Sequence, residues 1–155
     1  LNKDLATGIK VIDHQHDEFH TMLDTFMLEM IDQVHTCDFA SIQKYISFLD
    51  QYIAKHFTLE ESIMMELEYP QQSEHKQQHS SFVECYNEFA TDLKNNPITT
   101  EKLKEFHKFL LAWFNTDIRE HDLEMAKFIK EKTKHDSSAV DKLNKLYKTN
   151  FKEHN

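Results

Sequence analysis

The sequence predicts an all-α protein: an antiparallel up-down four-helix bundle with a short extra helix at its C-terminus. Three observations carry that prediction. The 155 residues include one Gly and two Pro, too few for a chain punctuated by hairpins. Apolar side chains recur every three or four residues over four long stretches, the spacing of one helix face. The breaks between stretches, at Tyr69-Pro70 and Asn95-Asn96-Pro97, are short, which favours antiparallel neighbours.

Residues 1–12 read as an extended entry with a turn at Gly8. Asp13 is a candidate cap for the first helix, with Asp17 and Glu18 suited to its first turn. Its stripe is His16, Phe19, Leu23, Phe26, Met27, Met30 and Val34, ending near Cys37. Asp38 caps the second helix, about 39–67, with Ile42, Ile46, Leu49, Ile53, His56, Glu60, Met64 and Leu67 on one face; Glu68-Tyr69-Pro70 ends it. The third, about 72–95, carries His75, His79, Phe82, Tyr86, Phe89 and Leu93.

Thr99 or Thr100 caps the fourth helix, about 100–132. Its stripe is Leu103, Phe106, Leu110, Trp113, Asp117, His121 and Phe128, beside a second track of Phe114, Ile118, Asp122, Met125 and Ile129. Lys134 to Ser138 reads as a hinge, and Ala139, Leu143, Leu146 and Tyr147 as a short fifth helix. The expected organisation is a bundle over 1–132 and a C-terminal tail or helix over 133–155, a candidate linker to a further module. Leu1 has no Met before it, which fits a start inside a longer polypeptide.

A net charge of −9 argues against nucleic-acid binding. The longest apolar run, Phe109 to Phe114, is far too short for a bilayer, and no secretory segment opens the chain. Cys37 and Cys85 are too few for a disulfide framework and read as inert small hydrophobes; with them the expected location is cytoplasmic.

Eleven histidines are dispersed through the chain, unlike a terminal tag. Each main helix places His or a carboxylate on an inner track: His16; His56 and Glu60; His75 and His79; Asp117 and Asp122. A single buried histidine is ordinarily a hydrogen-bonded core residue. Four with three inward acids would need many mutually satisfied polar groups in a dry interior, and an unpaired buried carboxylate costs several kcal/mol or more. Metal ions satisfy them together. Residues four apart lie one above the other on a helix, so His56/Glu60 and His75/His79 can each serve ions between the helices. Imidazole with carboxylate suits iron or manganese, and no cysteine stands on these tracks for a thiolate site. The pattern is His-x-x-x-Glu and His-x-x-x-His, which differs from the Glu-x-x-His pairs of ferritin-like bundles. His14, His20, His35, His107, His135 and His154 read as surface or supporting residues; Phe57, Trp113, Phe114 and Ile118 read as apolar walls or plain core.

These segments resemble hemerythrin, in particular the bacterial hemerythrin-like domains. The resemblance covers about residues 5–132. It rests on Gly8-Ile9 with Ile12-Asp13-His14-Gln15-His16, on His56-Phe57-Thr58-Leu59-Glu60-Glu61 with Met64 and Tyr69-Pro70, on His75-x-x-x-His79, and on Trp113-Phe114-x-x-Asp117-Ile118-x-x-x-Asp122. It implies two nonheme iron ions bridged by Glu60, Asp122 and an oxo or hydroxo group. One iron would take His16 and His56 and keep an open position for O2. The other would take His75, His79 and the residue at 117.

Position 117 departs from the family pattern, which has His there. Asp117 either ligates directly, which is the favoured reading, or stays unbound, or gives way to His121 one turn on. Glu60 and Asp122 contribute −2; direct ligation by Asp117 makes −3, and an added hard anion favours ferric over ferrous iron. The expected function is therefore an O2-binding domain whose reduced site oxidises readily, suited to sensing O2 or redox state. A stand-alone O2 store is one alternative. A diiron enzyme handling peroxide or NO is another, ranked lower because Tyr86 is the one inner candidate for a proton donor.

Overall fold

The computed structural model describes residues 3–31 and 38–151. Val34, His35, Cys37 and His154 lie outside that range. A 3₁₀ turn, Lys3–Leu5, leads to α1 (Lys10–Phe26), continued by the π-helical turn Met27–Ile31. α2 spans Phe39–Glu66 and α3 Gln72–Asn95. α4 (Thr100–Asp117) runs through a second π-helical segment, Ile118–Asp122, into α5 (Leu123–His135), and α6 spans Ser137–Phe151. Each of α1 to α4 packs on the next, α4 returns to α1, and α6 lies against α2 and α5. This is the expected all-α helical bundle. No helix among the described residues is long and apolar enough to cross a membrane.

The helix ends have identifiable causes. Asp38 accepts a hydrogen bond from the Ser41 N–H at 2.9 Å and Thr99 from the Lys102 N–H at 3.2 Å, as expected of N-caps. Asp13 is not the first cap, because α1 begins three residues earlier. Its carboxylate instead accepts from the Thr7 and Gly8 N–H groups at 2.8 and 3.0 Å, tying the entry segment to α1. Gly8 there has φ +78°, a turn favourable only to glycine. α2 ends in a Schellman arrangement rather than at Pro70: Glu68 takes φ +55°, and the Tyr69 and Glu68 N–H groups return to Met64 O and Met65 O. The expected hinge at 134–138 contracts to Asp136, which caps α6 through the Ser138 N–H at 2.9 Å.

The core falls into two apolar clusters with a polar layer between them. One contains Phe19, Phe57, Phe114 and Ile118; the other contains Ile12, Leu59, Ile63 and Met125, with Ala139 and Leu143 from α6. His16, Glu60 and Asp122 each stand in the chain between a residue of one cluster and a residue of the other. Some expected stripe positions are not fully buried: Met27 is exposed, His121 is half-buried, and Phe89, Trp113 and Phe128 are half-buried against the edges of the two clusters. Beyond Asp117 the buried track of the fourth helix is Ile118, Asp122, Met125 and Ile129.

Candidate metal centre

All seven expected site residues are buried, none more than 3% exposed. They come from four directions: His16 from α1, His56 and Glu60 from α2, His75 and His79 from α3, and Asp117 and Asp122 from the start and end of the π-helical step. That step is what aims both aspartates inward. A π turn carries about one residue more than an α turn, so positions five apart come onto one face.

Two groups result. His16, His56, Glu60 and Asp122 offer ligand atoms within 4.8 Å of one another, and so do Glu60, His75, His79 and Asp117. The two carboxylates on the middle line divide their oxygens between the groups. Glu60 Oε1 lies 3.1 Å from His56 Nε2, while Oε2 lies 3.3 Å from His75 Nε2 and 3.1 Å from His79 Nε2. Asp122 Oδ2 lies 2.8 Å from His16 Nε2, and Oδ1 lies 3.1 Å from His75 Nε2.

Most of these approaches lack hydrogen-bond geometry. Both Glu60 oxygens, Nε2 of His75 and His79, and Oδ1 of Asp117 and Asp122 are buried without a hydrogen-bond partner. Such atoms are costly in a dry core unless something else satisfies them. Burial pushes the Asp117 carboxyl well above the ordinary range, and Asp122 and Glu60 push it the same way. Burial opposes a charge on His75, yet Asp122 and Glu60 outweigh it and raise this imidazole to about 10. Three crowded acids and convergent imidazole nitrogens, with no sulfur among them, fit a pair of cations, which would replace the protons and meet the orphaned carboxylate oxygens and Nε2 atoms.

Supporting residues complete the site. Gln15 Oε1 lies 2.8 Å from His56 Nδ1, and Glu61 Oε1 lies 3.1 Å from His79 Nδ1, which fixes ring orientation and leaves Nε2 for the centre. Phe57 stacks on His79 with ring centroids 3.8 Å apart, and Phe114 stands edge-on to His16.

A model of the family described as Hemerythrin HHE cation binding domain matches residues 7–129, which takes in every one of these side chains. The chain belongs to the hemerythrin family. Bacteriohemerythrins of Pseudomonas aeruginosa and Pseudomonas paraeruginosa are each 30% identical to it over 123 residues, covering 77% of this chain and 73% of theirs. The bacteriohemerythrin of Stenotrophomonas maltophilia is 28% identical over 131 residues, covering 82% and 78%. No solved structure matches.

Within this hemerythrin frame several residues stand elsewhere than the sequence suggests. His121 belongs to neither group; it is half-buried with its ring 5.4 Å from that of His75 and faces an outer groove with Tyr69 and Glu124. Tyr86 donates to Asp50 Oδ1 at 2.7 Å and to Ile46 O at 3.2 Å, so its hydroxyl is engaged away from the metal groups. His107 is not at the surface but buried against Phe26. Cys85, read as an inert small hydrophobe, is exposed. The sequence reading missed Gln15, Glu61 and Tyr52. Tyr52 had a signal: it precedes His56 by four residues and follows Tyr45 by seven, on the same helix face.

Proposed function

We propose that this domain holds two nonheme iron ions and binds O2, and that its reduced site oxidises readily enough to serve as a sensor of O2 or redox state. The observation that carries the reading is the asymmetry of the two groups around a shared pair of carboxylates. His16 and His56 serve one ion and His75, His79 and Asp117 the other, with Glu60 and Asp122 between them. One ion therefore has a protein ligand fewer than its neighbour, and that difference supports an open position on the His16/His56 side. When bound, the iron pair would supply two one-electron carriers and a place for a small ligand.

The chain's own residues do the rest. Glu60 and Asp122 present one oxygen to each side. Gln15 and Glu61 hold two imidazoles by their outer nitrogens. Phe19, Phe57 and Phe114 exclude water, which protects a reduced centre and strengthens its electrostatics. Asp117 adds a third anion where the family pattern has a neutral ring, which favours the oxidised state. The segment over 133–155, whose α6 buries Ala139 and Leu143 beside Leu59 and Ile63, is a candidate route to an effector module.

Iron analysis followed by stopped-flow mixing of the anaerobically reduced protein with O2 tests this reading. Two irons per chain, an O2-dependent absorbance change and oxidation within seconds to minutes are expected. Asp117→His should slow that oxidation about tenfold or more. A unit charge at 4 Å is worth ~4 kcal/mol at an effective dielectric of 20, and about a third of that suffices. Oxidation over many hours in the wild type would favour a stand-alone O2 store, and steady consumption of peroxide or NO a redox enzyme.

A further inference from the structure

On the His16/His56 side, five aromatic side chains close a circuit. His16 meets Phe114 with ring centroids 5.4 Å apart, and Phe114 stacks on Phe19 at 4.7 Å. Phe19 meets Tyr52 at 5.1 Å, Tyr52 stacks on His56 at 5.3 Å, and His56 returns to His16 at 5.1 Å. All five are buried. The two histidines are ligand candidates of the group with fewer ligands; the other three side chains are its wall. Two wall residues are phenylalanines. The third brings a hydroxyl.

That hydroxyl is buried and has no hydrogen-bond partner. The other tyrosines near it differ: Tyr86 bonds Asp50 and Ile46 O, and Tyr45 bonds Glu29. A buried hydroxyl left unpaired destabilises the fold, and phenylalanine at 52 would pack equally well among Phe19, Phe48 and His56 without that cost. Its retention is accounted for by a partner that arrives with the ligand. We propose that Tyr52 donates a hydrogen bond to the terminal atom of the diatomic or triatomic ligand taken up beside His16 and His56.

The inference rests on the two-iron reading and gives it a specificity determinant. A phenol at neutral pH is a donor. Stacking with both Phe48 and His56 holds Tyr52 in place, so little freedom is lost when the bond forms. The remaining unpartnered polar atom of the circuit, His16 Nδ1, stands across its ring from the Nε2 that faces Asp122, and so faces away from the centre.

The test compares wild type with Tyr52→Phe, each loaded with iron and oxidised, by spectrophotometric titration with azide, whose terminal nitrogen accepts hydrogen bonds. Tyr52→Phe should bind azide about tenfold or more weakly, the effect of one hydrogen bond to a charged acceptor, with two irons retained. Thermal unfolding of the metal-free proteins gives a second readout. Tyr52→Phe should melt at the wild-type temperature or above it, whereas Tyr86→Phe, which loses a made bond, should melt lower. Equal azide affinity with iron intact overturns this inference alone, as does a melting loss in Tyr52→Phe matching that of Tyr86→Phe. Wild-type protein that takes up no iron, or shows no response to azide, removes the underlying reading as well.

Discussion

Asp117 and Asp122 stand five residues apart and both point into the bundle, although five residues along an α-helix turn a side chain by about 140°. The π-helical segment Ile118–Asp122 absorbs the difference. It also moves the apolar track, so that Phe114 below the step, Ile118 at its start, and Met125 and Ile129 above it are all buried in the core. The step therefore joins two helical registers at the level where the polar layer sits, a placement common for π turns at functional sites.

The raised Asp117 carboxyl has a signed consequence. Burial is its main cause, with Asp122 and Glu60 next. A carboxyl raised on folding stabilises the native state fully below its unfolded value of about 3.9, and that stabilisation is lost as pH climbs towards the folded value. Metal-free Asp117→Asn, which keeps the shape without the charge, should therefore exceed the wild type in urea midpoint at pH 8 and match it at pH 4. Metal uptake by the wild type should release more protons than uptake by Asp117→Asn, read by calorimetry in two buffers of different ionisation heat. Equal proton release would mean that Asp117 is already ionised in the folded chain.

Gln15 and Glu61 lie against the outer ring nitrogens of His56 and His79, and in the two-iron reading they would act on the centre through those rings. Each outer hydrogen bond fixes the ring and raises the basicity of the inner nitrogen, and losing such a partner typically costs about 10–100-fold in metal affinity. Gln15→Ala and Glu61→Ala should each lose iron to a chelator at correspondingly lower concentration, while melting of the metal-free protein changes little. The two effects should be separable: Gln15→Ala empties the His16/His56 side first, and Glu61→Ala the His75/His79 side. Competition titrations that find neither variant weakened would leave these contacts without a role at the metals.

Much of the centre was legible in the sequence because its geometry follows from helical periodicity. His56 with Glu60 and His75 with His79 are spaced by one turn, so any helix there must stack them. α3 matches its expected bounds of 72–95, and the caps Asp38 and Thr99 were readable because each carries an oxygen just before an apolar run. The π step was not legible from periodicity, which assumes a constant turn. That is why the stripe through Trp113, Asp117, His121 and Phe128 fails after Asp117, and why His121 seemed a candidate ligand yet faces outward. Tyr86 and Tyr52 illustrate another limit: both lie on inner faces, and only the three-dimensional partners Asp50 and His56 tell an engaged hydroxyl from an orphaned one.

His107 sits in the core beside Phe26, and burial lowers its pKa, with a Leu23 backbone contact and the charge of Asp24 pulling weakly the other way. A histidine lowered on folding leaves stability intact above its unfolded value of about 6.5. As pH falls below that value the unfolded chain takes the proton first, so the native state loses ground until the folded pKa is passed. His107→Phe should flatten the decline in urea midpoint of the metal-free protein between pH 7.5 and 5. At pH 7.5 it should differ from wild type by about 1 kcal/mol or less, the worth of one hydrogen bond. Parallel declines in the two proteins would show that other groups set the acid limb.

Glu68 ends α2 in a conformation that L side chains rarely adopt. At φ +55° its Cβ crowds the following carbonyl, a penalty of about 1–2 kcal/mol for a residue other than glycine. The surrounding hydrogen bonds, Tyr69 N–H to Met64 O at 2.8 Å and Glu68 N–H to Met65 O at 3.3 Å, are made by the backbone, so a glycine keeps them. The Glu68 side chain is exposed, so its removal uncovers no core. Glycine also carries more freedom in the unfolded chain, which offsets about 0.5–1 kcal/mol of the relief. Glu68→Gly should therefore stabilise the protein by about 0.5–1 kcal/mol, seen as a higher urea midpoint at unchanged slope, whereas Glu68→Val should destabilise it because a branched Cβ worsens the same clash. Since this turn sets the path from the helix of His56 and Glu60 to the helix of His75 and His79, Glu68→Val should also weaken metal retention, and Glu68→Gly should leave it unchanged. A Glu68→Gly protein less stable than the wild type would mean that the side chain makes a contribution larger than the strain it imposes.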